Sequence, residues 1–230
     1  MIISHKHKFI FLKTRKTAGT SIEIALSKIC GENDILTPIL PSDEIFRKEY
    51  ANISAQNFLI PLNRYLFSDY IQLFKKKKRK EFYNHMPSND IKKYLSKKVW
   101  NSYYKFSIER NPYDRAVSLY FWRGGDKKYS SIYEYLKKDT KGIHGFMNQK
   151  IYTINDQIIL DKLYQYEDLD FLLRDLTIKL QLKEKLQMPN YKAKSHTRKI
   201  RDYKEVLDEK AIKLISEMSK ELIKLFDYKF

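Results

Sequence analysis

One arrangement occurs twice in this chain, about ninety residues apart: a short apolar run, a turn rich in anion-binding groups, and then a helical pattern. Phe9-Ile10-Phe11-Leu12 leads into Lys13-Thr14-Arg15-Lys16-Thr17-Ala18-Gly19-Thr20-Ser21. Tyr104-Lys105-Phe106-Ser107-Ile108-Glu109 leads into Arg110-Asn111-Pro112-Tyr113-Asp114-Arg115-Ala116-Val117-Ser118. The aromatic and branched residues of each run suit a buried strand. A strand feeding a turn and then a helix N-terminus aims unpaired backbone N–H groups at the space beyond the strand, which favours an anion there.

In the first turn, Gly19 lets the backbone pass close to a ligand, Lys16 adds a mobile charge, and Thr17, Thr20 and Ser21 add hydroxyl donors. Ser21 to Leu26 then places apolar residues at helical spacing. The nucleotide pattern G-x-x-x-x-G-K-[ST] puts its lysine after the second glycine, whereas Lys16 precedes Gly19, which disfavours a conventional ATP or GTP loop. In the second segment Arg110 falls at a strand end, Pro112 suits the first turn of a helix, and Ser118 lies about two turns in, so a guanidinium and a hydroxyl can reach one phosphate together. Each segment alone also suits an ordinary capped helix or strand-to-helix corner. Their pairing favours a ligand with two phosphate groups.

With these residues the chain resembles the sulfotransferases that use 3′-phosphoadenosine 5′-phosphosulfate, in the branch of carbohydrate sulfotransferases and their soluble bacterial and viral relatives. That family's K-T-[AG]-G-T-[ST] loop is similar to Lys16-Thr17-Ala18-Gly19-Thr20-Ser21, and its R-N-P-x-[DE]-x-x-x-S segment to Arg110 through Ser118. Tyr166-Glu167-Asp168-Leu169, Met188-Pro189-Asn190 and Ile223 through Phe230 resemble its later motifs, with Asp227 where glycine is usual. The resemblance implies an α/β fold with a P-loop-like parallel β-sheet flanked by helices. It further implies that Lys16 through Ser21 hold the 5′-phosphosulfate, Arg110 and Ser118 hold the 3′-phosphate, and adenosine 3′,5′-bisphosphate is the product. Lys13 and Arg15 stand where many relatives have histidine and proline, and are expected to assist at the sulfonate.

Transfer to a hydroxyl needs a base, and histidine is best poised for that near neutral pH. His85 enters a capped helical pattern at Ser88 to Leu95 and is the expected base, with Lys16 meeting the charge on the leaving oxygen. His196 competes, although the basic loop around it reads more readily as a lid, with Lys194, Ser195 and Arg198 nearest the phosphates.

Forty-five Lys and Arg against twenty-eight Asp and Glu give a net charge of +17, which calls for anionic company without naming it. Much of the excess sits in Lys75-Lys76-Lys77-Lys78-Arg79-Lys80, read as a solvated face unless it attracts an acidic acceptor. The single cysteine, Cys30, excludes an intrachain disulfide, and no Cys/His cluster has metal-ligand spacing. The lack of a linker predicts one domain over 1–230, and the lack of a long apolar stretch or signal peptide predicts a cytoplasmic protein. Further helices are expected at Asp43 to Tyr50, Leu62 to Lys80, Ser131 to Lys138 and Asp208 to Phe226, and a strand at Ile158 to Tyr166. Ile35 to Tyr83 is expected to shape the acceptor side, and Tyr120, Phe121 and Trp122 are candidates to flank a ring of the ligand. A carbohydrate acceptor follows from the resemblance alone. Two other classes compete: a kinase, which needs a magnesium-binding acidic residue, and a basic nucleic-acid-binding module, for which no motif is present.

Overall fold

Phe9, Ile10 and Phe11 are all fully buried, and since alternate side chains of a strand point to opposite faces, their sheet must be covered on both sides. The computed structural model describes residues 1–138, 146–190 and 202–230. Its main sheet contains β1 (Ile2–Ser4), β2 (Phe9–Phe11), β3 (Ile35–Leu36), β4 (Tyr104–Glu109) and β7 (Lys162–Gln165), in the order β3-β1-β2-β4-β7. β2, β4 and β7 pair in parallel, while β1 runs antiparallel to both of its neighbours. A separate hairpin joins β5 (Thr153–Ile154) to β6 (Gln157–Ile158). This is the expected α/β architecture, with three short strands, β1, β3 and β5, that were not expected.

On one face Phe9, Phe11, Phe106 and Ile108 pack against Ile22 and Leu26 of α1 (Gly19–Ser27) and Leu172 and Leu176 of α9 (Leu169–Lys179). On the other, Ile3, Ile10 and Leu12 meet Ile91 of α4 (Ser88–Tyr94), Trp100 of α5 (Lys97–Ser102) and Tyr152 of α8 (Gln149–Tyr152). A third cluster joins α6 (Pro112–Trp122), α7 (Ile132–Lys138) and α10 (Glu209–Met218) through Ala116, Leu119, Tyr135 and Ile215. The remaining helices are α2 (Pro41–Ala51), α3 (Phe67–Lys76) and α11 (Lys220–Phe226). No helix among the described residues is long and apolar enough to cross a membrane.

Several expected elements are divided. The long C-terminal helix breaks at Ser219 (φ −118°), which ends α10 and begins α11. The expected strand from Ile158 resolves into the end of the hairpin and β7, and Tyr166–Asp168 forms a 3-10 turn that Asp168 caps onto α9. Helix α3 stops before the lysine run is complete, because Lys77 takes a left-handed φ of 50°. Asp227 adopts that same conformation (φ 51°) at the end of α11, so a residue type that tolerates it fills the place usually given to glycine.

A buried charge network ties β1, the first turn, α1 and α2 together. Glu23 has no solvent exposure; it accepts from Lys13 Nζ at 2.6 Å and from the Met1 amine at 2.7 Å, with the Arg47 guanidinium 3.6 Å away. Burial alone would raise its pKa, but Lys13 and the amine hold it down at about 2. Removing one member of such a buried pair strands the others in a low-dielectric interior. Glu23→Gln is therefore expected to lose about 3 kcal/mol of stability. Urea denaturation checks this, with an unchanged midpoint as the contrary result.

Candidate active site

The first turn is stitched to the end of β4 by side chains of the two segments. Ser107 Oγ donates to the Leu12 carbonyl at 2.6 Å, and Thr14 Oγ1 donates to the Ile108 carbonyl. Asn148, fully buried, clamps the middle of the turn: its Oδ1 accepts from the Arg15 N–H at 3.0 Å and its Nδ2 donates to the Arg15 carbonyl at 3.1 Å. Lys16 and Ala18 take positive φ values of 62° and 56°, whereas Thr17 between them does not. Such alternation turns successive N–H groups toward one side, the geometry of an anion-binding nest. Two non-glycine residues in this region cost about 1 kcal/mol each or more, which the clamped surroundings must offset.

Gly19 has a role different from a bend. It lies inside α1, and an added Cβ would stand 2.8 Å from Lys13 Cγ and 3.3 Å from the Thr14 carbonyl oxygen. Its missing side chain is what lets the start of the turn pass under the start of the helix.

Arg110 emerges at the end of β4 and reaches back to the first turn. Its Nη1 donates to the Lys16 carbonyl at 3.2 Å, its Nε donates to Asp114 Oδ2 at 2.6 Å, and its guanidinium lies 4.2 Å over the Tyr166 ring. Asn111 caps α6 by accepting from the Tyr113 N–H, so Pro112 occupies the first turn as expected.

The two segments face one cavity of about 920 Å³. Its walls include Lys13, Thr14, Arg15, Lys16, Thr17, Ala18, Gly19, Thr20 and Ser21 from the first turn, Arg110 and Ser118 from the second segment, and His85. Among the described residues five cationic side chains line it, counting Arg123 with Lys13, Arg15, Lys16 and Arg110, against one carboxylate, Asp43. Burial, followed by the nearby Arg123 and Arg115, lowers the pKa of Arg15, the mark of cations crowded without enough countercharge. Within the set, Lys13 is engaged by Glu23 behind the turn and Arg110 by Asp114. Lys16 holds its ammonium 5.1 Å over the Trp122 ring.

His85 takes a left-handed φ of 63° and sets Nδ1 at 2.8 Å from the Lys13 carbonyl. A carbonyl only accepts, so Nδ1 carries the proton and a neutral ring keeps its lone pair on Nε2. Burial first, then the charges of Lys13 and Arg15, lower the His85 pKa to about 3.

Of the three aromatic candidates only Trp122 lines the cavity. Tyr120 packs instead against Tyr135 at 5.4 Å and donates to the Tyr129 carbonyl, and Phe121 packs in the third cluster. The sequence reading missed Asn148 and Arg123 and gave Tyr166 no place in the site; none of them carries a local signal, since each acts through a partner distant in the chain. Lys194, Ser195, His196 and Arg198, the expected lid, lie outside the described residues.

The model of the sulfotransferase family matches residues 1–229. The chain belongs to the sulfotransferase family. A similar protein, an uncharacterized one from Archaeoglobus fulgidus, is 31% identical over 121 residues, covering 50% of this chain and 99% of that relative. No solved structure is matched. Sulfuryl transfer is thus the family's general reaction, and both strand-turn-helix segments and His85 of this sulfotransferase fall on one cavity.

The His85 pKa carries a consequence for stability. A base whose folded pKa lies near 3 while its unfolded value is 6.5 binds its proton only in the unfolded chain between those values, so stability falls as pH drops below 6.5. The thermal midpoint of the wild type should fall more steeply from about pH 7 to about pH 5 than that of His85→Asn. Parallel slopes would show that His85 is solvated and titrates normally.

Proposed function

We propose that this sulfotransferase moves a sulfuryl group from 3′-phosphoadenosine 5′-phosphosulfate to a hydroxyl group, with a carbohydrate as the acceptor class. The observation that carries the reading is the meeting of two anion-binding segments on one cavity, joined by the bond from Arg110 to the Lys16 carbonyl. The cationic excess of that cavity and the nest at Lys16 to Ala18 fit a ligand carrying two separated phosphate groups.

In this reading the N–H groups of Thr17 to Ser21 and the Lys16 ammonium hold the 5′ side, and Arg110 with the Ser118 hydroxyl holds the 3′-phosphate. Arg15 adds charge near the 5′ side, while Lys13 acts from behind the turn by holding its shape. The donor supplies an activated sulfur centre when bound. His85 Nε2 takes the proton of the acceptor hydroxyl as that oxygen bonds to sulfur, and the electron pair of the breaking bond stays on the 5′-phosphate oxygen, where Lys16 meets the growing charge. Protonation of His85 is disfavoured by burial and by Lys13 and Arg15, and a polyanionic ligand offsets that cationic surplus. The proposed base is thus most basic when the ligand is in place.

Calorimetric titration with adenosine 3′,5′-bisphosphate, against ATP with magnesium, tests the reading. Tight, magnesium-independent binding of the bisphosphate supports it, and preference for ATP with magnesium contradicts it. Arg110→Ala should weaken bisphosphate binding at least about tenfold, since a charge-assisted hydrogen bond is worth about 1.5–3 kcal/mol. Lys16→Ala should lower turnover at least about a hundredfold, read as formation of adenosine 3′,5′-bisphosphate in the presence of acceptor, with smaller loss of bisphosphate affinity. Near-normal turnover in that variant would remove Lys16 from the reaction.

A further inference from the structure

Helix α3 is inside out. Its only buried residue is an acid, Asp69, 3% exposed, which accepts from the Tyr94 hydroxyl at 2.9 Å and pairs with Lys80 at 3.4 Å. Its phenylalanines Phe67 and Phe74 are 83% and 82% exposed. At about 100° per residue, Phe67, Tyr70, Ile71 and Phe74 fall within an arc of about 100°, an apolar stripe facing away from the fold. Leu62 and Leu66, just before the helix, are exposed as well. A continuous apolar stripe of this kind marks an interaction surface.

The basic run that follows divides in two. Arg79 and Lys80 serve the fold, Arg79 by donating to the Ile60 carbonyl at 3.3 Å and Lys80 by its pairing with Asp69. Lys75 to Lys78 are exposed, and Lys75, Lys76 and Lys77 have no ion-pair partner among the described residues. Cationic and apolar groups are therefore segregated, a stripe of rings on one side and a block of ammonium groups at the helix end. The chain then returns to the core through the Ile60 N–H bond to the Lys80 carbonyl and the Phe82 N–H bond to the Phe58 carbonyl, and reaches Asn84 and His85 on the cavity rim.

We propose that α3 and Lys75 to Lys78 form a peripheral docking element for an anionic lipid bilayer. Phe67, Ile71 and Phe74 enter the boundary between headgroups and acyl chains, and the lysines remain at the headgroup level. The segregation favours this occupant, since a bilayer offers an apolar layer beneath an anionic one. A nucleic acid instead demands rings interleaved with cations along one groove. A second copy of this chain, itself carrying a net charge of +17, supplies no anionic layer for the lysines. The docking element does not depend on the proposed reaction, and where both hold, it brings the rim bearing His85 toward acceptors displayed on a membrane.

Sedimentation of the full chain with vesicles tests this, comparing phosphatidylcholine with phosphatidylcholine containing about 30 mol % phosphatidylglycerol at about 0.15 M salt. The protein is expected to sediment with the anionic vesicles and to remain in solution with the neutral ones. The double variant Phe67→Ser/Phe74→Ser should reduce that partition at least about tenfold, the scale of burying one such ring. The triple variant Lys75→Gln/Lys76→Gln/Lys77→Gln should weaken it and flatten its salt dependence. Both variants should keep the wild-type thermal midpoint, because none of these side chains is buried. Absence of wild-type binding to anionic vesicles overturns the proposal. So does undiminished binding of the phenylalanine variant, which would mean adsorption by charge alone. A concentration-dependent dimer in analytical ultracentrifugation that the phenylalanine substitutions dissolve would give the stripe to a second copy instead. Ring-dependent nucleic-acid binding without vesicle binding would give it to a nucleic acid.

Discussion

A carboxylate shut away from water, Glu23, decides how the candidate site is held. It sits in the first turns of α1, draws the Lys13 ammonium behind the Lys13 to Ser21 turn, and so fixes where the Lys13 carbonyl points. That carbonyl is the group on which His85 sets Nδ1. One chain of contacts, Glu23 to Lys13 to His85, thus connects the interior of the fold to the only ring nitrogen the site has to offer as a base among its described residues. Gly19 belongs to the same arrangement, because a methyl group there would collide with the Lys13 side chain that the ion pair holds in place.

The opposite wall is built on a different principle. Arg110 does not wait free for a ligand; Asp114 orients its guanidinium, the Tyr166 ring supports it, and one of its N–H groups already bridges to the Lys16 carbonyl. A planar, multiply tethered cation loses little freedom when an anion arrives, the physical meaning of preorganisation here. Lys16 differs in kind, a single ammonium on a flexible stem, held over the Trp122 ring. The cavity therefore pairs a planar, tethered guanidinium with an ammonium on a flexible stem.

Much of this was legible in the sequence because it is local. The strand-turn-helix pattern at Phe9 to Leu26 and at Tyr104 to Ser118 depends on contiguous residues, and the structure reproduces it, down to Pro112 in the first turn of α6. What escaped were features that need a partner from elsewhere. The amide clamp of Asn148 on Arg15 joins residues 133 apart, and nothing beside Asn148 announces it. The positive φ values at Lys16 and Ala18, rather than at Gly19, follow from tethering by Thr14 and Asn148, not from intrinsic preference. The break of the C-terminal helix at Ser219 occurs within a run whose apolar spacing continues across it, so periodicity joined two helices that packing separates. The antiparallel strand β1 is three residues long and shows its buried side only against β2 and β3.

In the proposed reaction two segments, joined by a bond between residues 94 apart, bind one ligand through its two phosphate groups. A crystal structure of the protein with adenosine 3′,5′-bisphosphate tests this most directly. The account predicts the 5′-phosphate against the N–H groups of Thr17 to Ser21, the 3′-phosphate against Arg110 and Ser118, and His85 Nε2 facing the open end beyond the 5′-phosphate. A bisphosphate bound with both phosphates on one segment, or outside this cavity, would contradict it.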